Sequence, residues 1–239
     1  MSGAGGSIGE VSEVSEFCEA ALTSLREQAV PEDAPAMQRY MKSAMPFLGV
    51  RKPARVRIVD ELCSRFRFAT QEELVESARA LWRGATHREE RYVALSVTGH
   101  RAQRKLQDPG MLELYEEFVV TGAWWDFVDE TASRRIGPLL LSHPDVVRPL
   151  LLRWAGDEDR WRRRTSIIAQ LRAKDRTDVA LLRRAVVTNL TDQDFFLRKA
   201  IGWALREHAK TDPDWVRDFV AQHELSPLSR REALRALGE

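Results

Sequence analysis

An indole and a carboxylate that lie one helical turn apart are the side chains of this sequence best suited to chemistry. Trp125 precedes Asp129 by four residues, so the two share a face if the segment is helical. An aromatic plane beside a carboxylate can hold a cation. The alternative is ordinary packing, in which Trp124 points inward, Trp125 half-covers a neighbouring helix and the nearby acids are solvated.

Three further side chains are candidates for the same site, and each also has an ordinary explanation. Trp203 follows Gly202 in an apolar segment, where a large aromatic residue usually belongs to the core. Gly202 costs about 1 kcal/mol relative to alanine inside a helix, which suggests that something approaches its backbone closely. Arg164 ends a run of three arginines that can equally be solvated, and Tyr40 lies on a short helix where it can equally pack against the next one.

The composition excludes several classes of protein. The chain has 239 residues, 44% of them hydrophobic and 31% charged, as in ordinary soluble domains. No apolar run approaches the roughly 20 residues of a membrane span, so we expect a cytoplasmic protein without membrane contact. Cys18 and Cys63 lack the spacing of a metal site and are expected to be small buried hydrophobes. The sequence also lacks the motifs of nucleotide binding, serine hydrolysis and zinc hydrolysis, so no metal or cofactor is expected.

The net charge of +1 conceals an uneven distribution of charge along the chain. Residues 1–38 have a balance of −6, and the remaining residues have a balance of +7. Most of the bases are arginines, which bind phosphate through a planar fork. Charge alone does not establish nucleic-acid binding, because many of these arginines can pair with acids on solvated helix faces.

The periodicity of apolar residues is helical throughout, and no segment alternates as a strand does, which predicts an all-α fold. Thr70 with Glu73 forms a capping box, and glycines and prolines, Pro149 among them, are predicted to end helices of roughly 10–17 residues. The first helices of successive pairs are predicted to start near Thr70, Met111, Asp145, Thr177 and Asp212. The intervals of 41, 34, 32 and 35 residues are typical of divergent HEAT-like repeats. We therefore expect a right-handed solenoid of two-helix repeats with a concave face, formed by one domain over 10–239 after a flexible leader over 1–9.

Several longer motifs occur in an order and spacing that resemble one known family. They are Arg39-Tyr40-Met41-Lys42, Trp124-Trp125-Asp126-Phe127-Val128-Asp129, Trp161-Arg162-Arg163-Arg164, Ala200-Ile201-Gly202-Trp203 and Ser229-Arg230-Arg231-Glu232-Ala233. From about Met37 to its C-terminus, the chain resembles the AlkD-type DNA alkylation repair glycosylases. The sequence departs from the family in its acidic, glycine-rich leader and at Ala123, neither of which belongs to the proposed chemistry.

The resemblance implies a concave face that binds duplex DNA. It also implies that the enzyme hydrolyses the N-glycosidic bond of cationic alkylated purines without deep base flipping. N3-methyladenine and N7-methylguanine are the implied substrates, with bulky N3 and N7 adducts as further candidates. The catalytic residues that it implies are Asp129, Trp125 and Trp203. The DNA-binding candidates are Arg164, which we expect to grip a phosphate, together with Tyr40, Lys42, Arg163, Arg198 and Lys199.

The chemistry of the substrate explains why one carboxylate can suffice. Ordinary glycoside hydrolysis uses a pair of carboxyl groups, one of which protonates the leaving group. An N3- or N7-alkylated purine is already cationic and leaves as a neutral base, so Asp129 alone can stabilise the positive charge that develops on the sugar. Because no lysine that could form a Schiff base belongs to the catalytic set, we expect a monofunctional enzyme. We also expect the enzyme to act as a monomer.

Two other functions remain open at the level of the sequence. The chain could be a HEAT-like protein that binds distorted or branched DNA without catalysis, although the complete set of candidate residues argues against this. It could instead be a HEAT scaffold that binds protein partners, which an acidic or apolar concave face would favour.

Overall fold

The computed structural model describes residues 13–238, and this part of the chain is helical with no strand. The predicted flexible leader over 1–9 lies outside the described residues. The chain divides into two compact units, Met1–Leu106 and Gln107–Glu239, each of which is described by itself. The all-α fold of helical repeats predicted from the sequence is confirmed, whereas the single domain over 10–239 stays a prediction.

The first unit contains five α-helices and a short 3-10 helix in its described part. They are α1 (Glu13–Glu27), α2 (Ala34–Met41), α3 (Lys52–Arg65), α4 (Gln71–Arg83), α5 (Arg88–Thr98) and the 3-10 helix Arg101–Leu106. The predicted cap of α4 is present, since Thr70 Oγ1 accepts a hydrogen bond from the Glu73 amide at 3.3 Å. The Glu73 carboxylate accepts in return from the amide of Ala69 at 2.7 Å.

A buried carboxylate fixes the turn that leads into α3. Glu89, on α5, is fully buried and accepts hydrogen bonds from the amides of Leu48, Gly49 and Val50 at 3.0, 2.9 and 3.0 Å. Gly49 has a φ of +86°, and a Cβ there would lie 1.9 Å from the carbonyl oxygen of Val30. The turn therefore needs glycine for its backbone and Glu89 for its amides.

The described part of the second unit contains nine α-helices, most of them in pairs. They are α6 (Leu112–Gly122), α7 (Trp125–Thr131), α8 (Gly137–Ser142), α9 (Pro144–Trp154), α10 (Arg160–Ile168), α11 (Val179–Thr188), α12 (Phe195–Ala209), α13 (Pro213–Gln222) and α14 (Pro227–Leu234). The observed first residues lie within two positions of the predicted starts. Side-chain caps fix the first residues of α11 and α13, whereas α6 and α9 have none. Asp159, Asp178, Asp194 and Asp212 each accept hydrogen bonds from amides in the following first turn.

One predicted helix boundary is wrong. Pro149 lies inside α9, which continues to Trp154. A proline there removes the hydrogen bond to the carbonyl of Asp145. Both residues are exposed, so water can replace the missing donor and the helix tolerates the proline.

The close approach predicted at Gly202 is that of another helix of the same unit. A Cβ at Gly202 would lie 2.5 Å from the Cβ of Glu232 and 2.9 Å from the carbonyl oxygen of Ser229. Because Gly202 has no side chain, α14 can pack directly on the backbone of α12. The cost of a glycine inside a helix is therefore offset by helix packing.

The described residues contain no helix long and apolar enough to cross a membrane. Both cysteines are free; Cys63 is buried as expected, and Cys18 is half-buried. Burial raises the pKa of the Cys63 thiol to about 11, so this thiol is protonated at neutral pH.

Candidate active site

A tight turn separates the two adjacent tryptophans. Ala123 ends α6 in the left-handed conformation with φ 43°, and Trp124 is extended before α7 begins at Trp125. The Trp124 ring packs against Phe196 and Trp161, with ring centroids 5.4 and 6.3 Å apart. Trp124 therefore joins an aromatic cluster, as the packing interpretation predicts, whereas Trp125 lines an open cleft.

Asp129 is held by a bidentate ion pair with Arg164. Nε of Arg164 donates to Oδ1 of Asp129 at 2.7 Å, and Nη2 donates to Oδ2 at 2.8 Å. The side chain of Arg164 is only 6% exposed and that of Asp129 15% exposed. The remaining terminal nitrogen, Nη1, donates to the carbonyl oxygen of Phe196 at 2.5 Å. One arginine of α10 thus fixes the carboxylate of α7 and is itself anchored to the first turn of α12.

Two opposing effects determine the protonation of Asp129. Burial, the larger effect, raises the pKa of the Asp129 carboxyl, and the negative charge of Asp126 raises it further. The hydrogen bonds and the charge of Arg164 act in the opposite direction. The carboxylate is consequently poorly hydrated and held in one orientation, which is the arrangement that stabilises a nearby positive charge most strongly.

The structure brings three of the predicted site residues to one cleft of the second unit. Trp125, Asp129 and Trp203 all line this cleft, whose volume is about 380 Å³. Its rim is charged and is formed by Glu130, Arg134, Arg172 and Glu207. Acidic, basic and aromatic side chains thus line one cleft, which is open to solvent.

The segment that follows Asp129 has an unusual backbone. Ala132–Ile136 forms a π-helical segment between α7 and α8, a feature often found near functional sites. Ser133, within this segment, donates a hydrogen bond from Oγ to the carbonyl oxygen of Asp129 at 2.7 Å and lines the cleft. The π-helical segment therefore adds a second hold on the residue that bears the carboxylate.

Most predicted DNA-binding residues of the second unit have partners within the protein. Nη1 of Arg163 bonds Oδ2 of Asp192 at 2.5 Å, and Nζ of Lys199 bonds Oε1 of Glu232 at 2.7 Å. Arg198 is half-buried, and its Nε has no hydrogen-bond partner within the described part of the chain. Arg164 is buried against Asp129, so its expected contact with phosphate stays a prediction.

The two predicted DNA-binding residues of the first unit are exposed. Tyr40, on α2, is 76% exposed and does not pack against another helix, unlike the alternative considered from the sequence. Lys42 follows α2 in the left-handed conformation with φ 51° and is also exposed. Both side chains are available to a large ligand of this unit.

Several residues around the cleft were not singled out from the sequence. Glu207 lies four residues after Trp203, and Arg134 lies four residues after Glu130, so helical spacing could have indicated both. Arg172 follows the end of α10, and no periodic signal identifies it. No group of three or more histidine, cysteine or acidic side chains among residues 13–238 could hold a metal ion.

Comparisons with known proteins agree on one family. A family model described as DNA alkylation repair enzyme matches residues 21–237. A solved structure titled as a predicted DNA alkylation repair enzyme from Enterococcus faecalis matches with a TM-score of 0.81 and 31% sequence identity. The match covers 89% of this chain and 98% of that chain. No curated protein matches the sequence.

Proposed function

The chain belongs to the DNA alkylation repair enzyme family, and from this premise we propose that it is a monofunctional DNA glycosylase. Its proposed reaction is hydrolysis of the N-glycosidic bond of N3- and N7-alkylated purines in duplex DNA, which leaves an abasic site for base excision repair. The observation that carries the proposal is the largely buried carboxylate of Asp129, which Arg164 fixes in an open cleft that Trp125 and Trp203 also line.

The reaction needs no more than one carboxylate. Alkylation at N3 or N7 makes the purine a cationic leaving group, which takes the bonding electrons as the C1′–N bond breaks and departs neutral. Positive charge develops on the deoxyribose, and Asp129 stabilises this charge and positions the attacking water. Water adds its oxygen to C1′ and releases a proton to solvent. A general acid is unnecessary, unlike in the hydrolysis of ordinary glycosides.

The two tryptophans of the cleft give the substrate a surface that favours positive charge. Each indole face attracts a cation by roughly 0.5–2 kcal/mol, depending on how far the cation is desolvated. Trp125 and Trp203 both line the cleft with Asp129. We therefore assign them the role of flanking the sugar of the lesion, where the oxocarbenium-like charge develops.

The openness of the cleft supports recognition without deep base flipping. Enzymes that flip a base enclose it in a fitted pocket. The cleft at Asp129 has a charged rim facing solvent, so a bulky N3 or N7 adduct need not be excluded. The monomeric state and the cytoplasmic location stay predictions from the sequence.

The decisive experiment measures release of the free base. Duplex DNA containing N7-methylguanine is incubated with the protein in single-turnover conditions, and the spontaneous rate is subtracted. Asp129→Asn should lower excision at least about tenfold while DNA affinity stays near that of the wild type. Asp218→Asn, which changes an exposed aspartate on α13, serves as the control.

The possible outcomes separate the alternative functions. If the wild-type protein releases no base above the spontaneous rate, the glycosylase assignment fails. Salt-dependent binding without excision would then favour a non-catalytic DNA-binding protein, because phosphate contacts release counterions. Binding that is insensitive to salt would favour a protein scaffold.

A further inference from the structure

Three of the cations predicted to bind DNA are neutralised within the protein. Arg164 is paired with Asp129, Arg163 with Asp192, and Lys199 with Glu232. Each of these cations would have to leave an acid before it could bind a phosphate. A substrate whose backbone is anionic therefore needs another cation at this cleft.

A loop at the edge of the cleft provides unpaired cations. We define the Arg172 loop as residues 171–177, which follow α10, include the short 3-10 helix Lys174–Arg176 and precede α11. Within the described part of the chain, its three bases, Arg172, Lys174 and Arg176, have no ion-pair partner, and all three are exposed. The loop has one acid, Asp175, and so a balance of +2. Arg172 lines the cleft together with Asp129 and Trp203.

The backbone of the Arg172 loop is fixed at both of its ends. Nε2 of Gln170 donates to the carbonyl oxygen of Asp178 at 3.0 Å, and the amide of Asp178 donates to Oε1 of Gln170 at 2.7 Å. The amide of Ala173 donates to the carbonyl oxygen of Gln170 at 2.9 Å. Gln170 is itself buried, so this clamp is shielded from water. The loop can thus present Arg172 from a defined position, although it belongs to neither helix.

We propose that Arg172 binds the phosphodiester next to the lesion nucleotide and thereby positions the sugar against Asp129. A guanidinium fork binds two phosphate oxygens at once, which fixes orientation as well as distance. Lys174 and Arg176 extend the contact along the same strand. The proposal rests on the proposed function, and it assigns to Arg172 a role that the buried Arg164 would fill only by releasing Asp129. Arg172 is a positioning residue, because it binds the DNA backbone and not the reacting atoms.

The test compares Arg172→Gln with Arg183→Gln, which removes an exposed and equally unpaired arginine from α11, outside the cleft. Affinity for undamaged duplex and its dependence on salt are measured by fluorescence anisotropy. Arg172→Gln should weaken binding about tenfold. It should also lower the slope of log affinity against log salt concentration by about 1, the value for one lost phosphate contact. Arg183→Gln should leave both quantities unchanged.

A second readout distinguishes positioning from simple attraction. At saturating enzyme, Arg172→Gln should still lower the single-turnover rate of N7-methylguanine release, because the sugar is no longer held in place. Arg172→Lys should restore the salt slope but only part of the rate, because lysine keeps the charge and lacks the fork. If Arg172→Gln has the salt slope and rate of the wild type, the proposal is wrong. If the wild type itself excises no N7-methylguanine, the proposed glycosylase function is wrong. The affinity and salt dependence of Arg172→Gln would still test whether Arg172 binds a phosphate.

Discussion

Arg164 and Asp129 lie 35 residues apart in the sequence and form a buried bidentate ion pair. Since Nη1 of Arg164 donates to the carbonyl oxygen of Phe196, one side chain connects α7, α10 and α12. The position of the proposed catalytic carboxylate therefore depends on three helices at once. A carboxylate that cannot move is suited to stabilising charge at a fixed point of the substrate.

The pH dependence of excision should report the environment of Asp129. The proposed reaction needs the ionised carboxylate, so activity should be lost as the pH falls through the pKa of this group. Because burial raises that pKa, the acid limb of kcat/KM for the wild type should lie above about pH 3.9, the ordinary value for aspartate. Arg164→Met removes the opposing charge and should move the limb to still higher pH. A limb in this variant at or below that of the wild type would show that the arginine does not stabilise the ionised form.

Substitution at Gly202 should test whether helix packing or helix propensity is the larger effect. Gly202→Ala gains about 1 kcal/mol in helix propensity. The new Cβ would lie 2.5 Å from the Cβ of Glu232, and overpacking of this kind costs about 1–3 kcal/mol or more. Because the new Cβ would also lie too close to the backbone of Ser229, we expect a net decrease in the free energy of unfolding, measured by chemical denaturation. Gly156→Ala is the control, since its Cβ would meet only a methyl group of Thr188 at 3.8 Å, and a loss as large in the control would refute the packing explanation.

Glu89 should be essential to the stability of the first unit. Its buried carboxylate accepts three backbone hydrogen bonds, and Glu89→Gln removes the charge and turns an NH₂ group toward those amides. Charge-assisted hydrogen bonds contribute about 1.5–3 kcal/mol each, so we expect a loss of at least about 2 kcal/mol in the free energy of unfolding. The measurement is urea denaturation, with the exposed Glu61→Gln as the matched control. Equal stability of the two variants would contradict the structural role of the carboxylate.

The sequence was sufficient for the features that depend on neighbours along the chain. The starts of the paired helices were predicted within two residues because caps such as Asp212 are local, and α11 was misplaced slightly because Asp178, and not the adjacent Thr177, is the cap. The predicted helix end at Pro149 is wrong because tolerance of a proline depends on its exposure to solvent, which the apolar periodicity does not show.

Features that depend on tertiary packing could not be predicted in the same way. The partners of Arg164 and Glu89 lie 35 and about 40 residues away, and no periodicity links them. The glycine at position 202 correctly predicts that something packs closely on its backbone, but only the structure identifies α14 as the helix that does so. The motifs nominated Trp125, Asp129 and Trp203, which the structure brings to one cleft, whereas the exposed and unpaired state of Arg172 is a property of the folded chain.

Glu232 should make stability depend on acidic pH. A hydrogen bond from Lys199, the charge of that lysine and the contact with Arg206 hold the pKa of the Glu232 carboxyl below its ordinary value despite burial. A lowered pKa stabilises the fold above the unfolded pKa of about 4.3, and this contribution is lost as the pH falls through the folded pKa. Glu232→Gln should therefore be less stable than the wild type at pH 7, and the difference in melting temperature should shrink as the pH falls below about 4.3. Asp214→Asn, in an exposed pair with Arg217, should show no such difference.

The adjacent tryptophans should separate into one structural and one functional residue. Trp124 packs against Phe196 and Trp161, and its indole Nε1 is buried without a hydrogen-bond partner in the described part of the chain. Trp124→Phe leaves a small cavity but removes a buried unpaired donor that costs about 1–3 kcal/mol, so the two effects should nearly cancel and leave both stability and excision close to the wild type.

Trp125→Phe changes a residue that lines the cleft with Asp129. Phenylalanine attracts a cation less strongly than tryptophan does, so excision of N7-methylguanine should fall several-fold while the melting temperature changes little. The two variants are matched in chemistry and differ only in the environment of the ring. If they lowered the single-turnover rate equally, Trp125 would have no role beyond that of its neighbour, and the assignment of a cation-binding surface to this cleft would rest on Trp203 alone.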